Sequence, residues 1–72
     1  MTKYVEWSDP WQYGGLSFQH VECISRMKVE DAIKYQHGYI NQNYGHSYDS
    51  DEDALYDFMT IRWATVKEYD EN

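Results

Sequence analysis

The residues of this chain that could do chemistry fall into two groups. The first is His20, Cys23, His37 and His46, side-chain types that together can hold zinc. His20-x-x-Cys23 has a workable ligand spacing, but a lone cysteine lacks the paired motif of a secure zinc site. A small buried thiol beside surface imidazoles accounts for the same residues, and a structural zinc domain stands as an alternative. Cys23 with a histidine also supplies the types of a nucleophilic pair, yet no glycine-rich elbow surrounds it. A domain of this size leaves little room for a ligand pocket of several hundred cubic ångströms. We therefore expect a non-enzymatic protein with no cofactor and no bound metal.

The second group is acidic. "HSYDSDEDALYDF", residues 46 to 58, concentrates carboxylates ahead of an apolar stripe. Counted from Asp49, a calcium loop needs glycine at the sixth position and a bidentate glutamate at the twelfth. This chain has Ala54 and Thr60 there, so the run does not match one. Two assignments remain. Ser50 followed by Asp53 approximates a capping box, and Asp51, Glu52 and Asp53 fill a first helical turn, where the dipole favours acids. Asp53, Asp57 and Glu68 also fall on one outward stripe if the helix runs on, with Asp70 and Glu71 beyond it. Carboxylates one turn apart are roughly 6 Å apart, close to successive phosphates, so an imitation of DNA competes with a merely solvated face.

The formal charge of −7 is uneven: residues 1–47 hold five acids and four bases, residues 48–72 eight acids and two bases. That second segment repels a phosphate backbone, so direct nucleic-acid binding is not expected, and a basic protein surface is the complementary partner. One cysteine excludes an intrachain disulfide and suits a reducing cytoplasm. No apolar run approaches the length of a membrane span.

A chain of 72 residues makes one small domain, 1–72, with a thin margin of stability. "KYVEWSDPWQYGG" predicts a short strand over Thr2 to Trp7 and then two turns. "LSFQHVECISRM" suits an extended segment better than a helix. Over 29–44, Val29, Ala32, Ile33, Gln36, Tyr39, Ile40 and Tyr44 share one helical face, and Gly45 is placed to cap the end. A second helix is predicted near 51–68 from Ala54, Leu55, Phe58, Ile61, Arg62 and Val66. The β-branched Thr60, Ile61, Thr65 and Val66 allow a break after Met59. The expected fold is α+β, an N-terminal extended or hairpin segment packed on two amphipathic helices. Its expected core is Ile33, Ile40, Leu55, Phe58 and Val66.

Eight tyrosines and three tryptophans are more rings than so small a core can hold. Tyr4, Trp7 and Trp11, beside Glu6 and Asp9, have the composition of a protein-binding patch, unless the tryptophans instead cover the helices as a lid. Arg62, inside an apolar arc, either snorkels, pairs with an acid or reaches a partner. So much aromatic surface also allows a homodimer.

"DEDALYDFMTIRWATVKEY", with "MKVEDAIKYQ" upstream, resembles the small acidic proteins that tailed phages make early in infection to redirect host machinery. Such proteins include RNA-polymerase regulators and inhibitors of nucleases and restriction or CRISPR complexes. The resemblance implies a stoichiometric binder of a bacterial host protein in the host cytoplasm, with RNA polymerase the first candidate. A DNA mimic acting on a nuclease is the alternative. No motif carries individual functional residues across.

Overall fold

The computed structural model describes residues 1–8 and 23–70. The fold is α+β: strand β1 (Thr2–Ser8), strand β2 (Ile24–Lys28), helix α1 (Val29–Tyr44), helix α2 (Asp51–Arg62) and strand β3 (Thr65–Tyr69). The sheet order is β2-β1-β3 with both pairings antiparallel, so β1 is central and β3 is an edge. Its register sets Val5 opposite both Met27 and Val66, and Glu6 opposite Arg26 and Thr65.

Helix α1 occupies the predicted span. Glu30 and Asp31 lie in its first turn, and Gly45 at φ 71° ends it by donating its N–H to the Asn41 carbonyl at 3.0 Å. Glycine meets that left-handed backbone without a Cβ penalty. Helix α2 starts as predicted, with Ser50 extended and its Oγ accepting the Asp53 N–H at 3.2 Å.

The end of α2 corrects the sequence reading. The helix stops at Arg62 instead of continuing to 68, and 65–69 form β3. Trp63 takes the left-handed conformation (φ 55°), the Ala64 N–H reaches the Met59 carbonyl at 2.9 Å, and the Trp63 N–H points to that of Thr60. This is the two-bond Schellman closure, here built on tryptophan where glycine is usual. Thr65 and Val66 gain ladder partners on β1, Glu6 and Val5, which outweighs their weak helical preference, while Thr60 and Ile61 stay in the helix.

Among the described residues the core is partly composed of residues other than those expected. Val5, Ala32, Ala54 and Phe58 are fully buried, with Trp7, Met27, Val29, Leu55, Met59 and Ala64 partly buried among the residues around it. Of the five predicted core residues only Phe58 is fully enclosed. Ile33, Ile40 and Leu55 are half-buried, and Val66 is 40% exposed. Two of the four fully buried apolar residues are alanines, Ala32 on α1 and Ala54 on α2. Gln36 is buried between the helices, and its Nε2 donates to the Tyr48 hydroxyl, which donates to Asp57 (2.9 Å each). Burial holds the Tyr48 phenol above its ordinary pKa, so it stays a neutral donor there. No helix among the described residues is long and apolar enough to cross a membrane.

Candidate interaction surface

The aromatic segment predicted as a patch is divided by strand alternation. Along β1, Val5 and Trp7 point to the helices, while Tyr4 and Glu6 point to the opposite face. Trp7 meets Phe58 edge to face at 5.4 Å, so its ring belongs to the packing and not to a free patch. Asp9 and Trp11 lie outside the described residues.

Glu6 is buried on the open face of the sheet, and its neighbours enclose it. The Tyr69 hydroxyl and Arg26 Nε (2.9 Å) both donate to its Oε2, and Lys67 Nζ stands 3.7 Å from Oε1. The Tyr69 hydrogen bond first, and the Arg26 and Lys67 charges after it, hold this carboxyl below its ordinary pKa against the opposing effect of burial. Arg26 also lies over the Tyr69 ring at 4.0 Å, and Tyr4 meets Tyr69 edge to face at 5.7 Å. Glu6 and Tyr4 therefore form an internal network and not the centre of an exposed patch.

Arg62 likewise turns inward. Its guanidinium lies 3.8 Å from the Phe58 ring centroid, with Trp7 and Tyr35 at 5.5 Å, and Nη1 donates to the Phe58 carbonyl at 3.1 Å. It closes one side of the core, as a snorkelling arginine does.

The acidic residues do not form the single stripe expected of them. Asp53 sits exposed in the first turn of α2, and Asp57 accepts the Tyr48 hydroxyl. Glu68 lies on β3, 4.0 Å from Lys3, because the helix has already ended; Asp70 follows it. Glu71 lies outside the described residues. Among the described residues the carboxylates at helical spacing are thus those of α2 itself, Asp53 and Asp57 included, and the row does not continue to Glu68.

His20 lies outside the described residues. Cys23 is half-exposed just before β2, His37 Nε2 is 2.9 Å from Asp51 Oδ1, and His46 lies against Tyr44 with ring centroids 6.2 Å apart. Among the described residues no three such groups converge on one point.

Among the described residues, the junction of α2 and β3 is open and apolar. Tyr56, Met59, Thr60, Trp63 and Ala64 line an open groove of about 450 Å³. Trp63 is 92% exposed, Tyr56 70% and Ile61 63%. Among the described residues the groove lining is largely apolar and aromatic, with the Tyr56 and Thr60 hydroxyls and the Trp63 indole N–H as its polar side-chain groups. On α2 the exposed Glu52 lies one turn before Tyr56. Sequence reasoning leaves Trp63 inside the span of the predicted second helix and gives it no role. Its one signal was the β-branched cluster that permits a break there.

Neither family models, curated proteins nor solved structures gave a match to this chain.

Proposed function

We propose that this chain is a non-enzymatic regulator that binds a partner protein with a basic surface, using Trp63 and the groove beside it as the anchor. The observation that carries this reading is Trp63 itself. A bulky side chain in the left-handed region costs of order 1–2 kcal/mol relative to an ordinary backbone, and this indole returns almost no burial to the fold. Strain kept at an exposed aromatic is a pointer to binding. The charge of −7 selects a basic partner and favours fast, salt-sensitive association. The resemblance to phage regulators puts bacterial RNA polymerase first among such partners, with masking of a working surface as the mode of action.

The test is binding of the full chain to purified RNA polymerase holoenzyme at several salt concentrations, beside Trp63→Gly. Glycine accepts the left-handed backbone, so this variant keeps its fold. The expected result is association that slows as salt rises and weakens by ~30-fold or more in the variant, the ~2 kcal/mol of a hot-spot residue. Equal binding by the two proteins would overturn the role of Trp63. No binding by either would remove RNA polymerase as the partner.

A further inference from the structure

The register divides the charge of the sheet between its two faces. Strand alternation puts Glu6, Arg26, Lys28 and Lys67 on the face away from the helices, with Ile24 on the same face, while Lys3 and Glu68 pair on the helix side. The open face thus carries three of the chain's six lysines and arginines, although the whole chain has a charge of −7. Its one acid among the described residues, Glu6, is buried, is held by Arg26 and Lys67, and offsets a single positive charge. The other described acids lie on or between the helices, or, as Glu68 and Asp70, on the helix side and past the end of β3. What closes over Glu6 is itself open to solvent. The Arg26 side chain is 47% exposed and that of Lys67 58%, and Ile24 is 56% exposed. Both helices pack on the opposite face, at Val5, Trp7 and Met27.

We infer that the open face of the sheet docks a short acidic segment of another protein, whose carboxylates meet Arg26, Lys28 and Lys67 and whose apolar side chains cover Ile24. This surface is separate from the Trp63 groove and opposite to it in the charge it takes, so loss of one binding role leaves the other standing. Charge complementarity selects the occupant, because a positive face on an otherwise acidic chain steers carboxylates to itself and away from the rest. Single-stranded nucleic acid fits less well. It binds through base stacking, and Arg26 already lies over the Tyr69 ring at 4.0 Å, with the Tyr69 hydroxyl given to Glu6. Its phosphates also recur at every nucleotide, beyond the reach of three bases, whereas a protein segment carries acids only where the bases are. A second copy of this chain is disfavoured as occupant. The face of one copy on the acids of the next is a head-to-tail contact, and each copy added brings a charge of −7.

The probe is the synthetic peptide acetyl-Glu-Ile-Glu-Ile-Glu-amide, compared with acetyl-Gln-Ile-Gln-Ile-Gln-amide and with a short single-stranded oligothymidylate. The full chain is followed by backbone amide NMR at low salt. We expect the acidic peptide to give saturable shifts over 24–28 and 65–69, and to bind about fivefold tighter than the neutral one or better. Lys67→Gln should weaken its binding about three- to fivefold, and Lys34→Gln, which removes the same charge from the exposed side of α1, less than about twofold. Equal binding of the acidic and neutral peptides, or no binding of either, overturns the inference. So does an equal loss in the two variants, which would make the attraction one of net charge and not of this face. Tighter binding of the oligonucleotide at the same amides would assign the face to nucleic acid. Concentration-dependent shifts there without ligand, with dimer in sedimentation, would assign it to a second copy. Nuclear Overhauser contacts to it from residues 9–22 would assign it to the chain itself. Each of these three results also overturns the proposal.

Discussion

Trp7 and Trp63 have the same side chain in opposite circumstances. Trp7 sits on the central strand, faces the helices and meets Phe58 edge to face, with the Arg62 guanidinium 5.5 Å from its ring. Trp63 sits where α2 gives way to β3, on a left-handed backbone, with its indole almost wholly in solvent. The first is held by the core and stabilises it. The second is placed by a helix stop whose backbone disfavours so large a residue. An abundance of rings in a small domain predicts that some lie outside the core, but it does not say which. The pairing partner and the backbone conformation decide, and here they turn Tyr4 and Trp7 to contacts within the fold.

The comparison breaks first if Phe58 is not what holds Trp7. Phe58→Ala removes the one fully buried ring among the described residues, which Trp7, Tyr35 and Arg62 all contact, and should cost about 3–5 kcal/mol. In a domain this small that approaches global unfolding. Thermal melts followed by circular dichroism would show little folded protein. A melt close to wild type would mean the core lies elsewhere.

Substituting the tryptophans themselves sharpens the contrast. Trp7→Ala should destabilise by about 2–3 kcal/mol, below the full range for a buried ring because Trp7 is partly exposed. Trp63→Gly should do the opposite or nothing, with a gain of up to about 1 kcal/mol as the left-handed penalty disappears and glycine's extra chain entropy offsets part of it. Urea denaturation of both variants checks the signs. Destabilisation by Trp63→Gly matching that of Trp7→Ala would show Trp63 to be a structural residue.

How much of this was legible in the sequence follows from the same physics. Helix α1 could be read to its ends because seven positions keep one helical phase and a glycine stands after the last. The start of α2 could be read because Ser50 and three acids are a local signal that needs no tertiary context. Its end could not. A five-residue edge strand with both faces largely in solvent has no clean apolar alternation, and its stability comes from β1, more than fifty residues earlier. The aromatic surplus and the excess of acid were visible as residue types, but not their placement. Neighbours such as Glu6 and Trp7 go to opposite faces once the strand forms, and nothing in a sequence marks a tryptophan as a left-handed cap.

The smallest effect expected lies on the far side of β1 and depends on pH. Glu6 differs from exposed carboxylates such as Glu52 in being enclosed by Tyr69, Arg26 and Lys67, which hold its folded pKa below the ordinary value. A depressed carboxyl contributes stability that is fully present above its unfolded pKa, about 4.3, and is lost as pH falls through the lower folded value. Glu6→Gln should therefore be less stable than wild type at neutral pH, and the gap should close below about pH 4 as the wild-type carboxyl takes up its proton. Glu52→Gln, an exposed acid outside that network, is the control and should track wild type more closely throughout. Denaturation midpoints measured from pH 7 to pH 2 for the three proteins give the comparison. A gap between wild type and Glu6→Gln that stays constant with pH would show that Glu6 acts by packing and not by charge, and the two faces of the sheet would then differ less than their geometry implies.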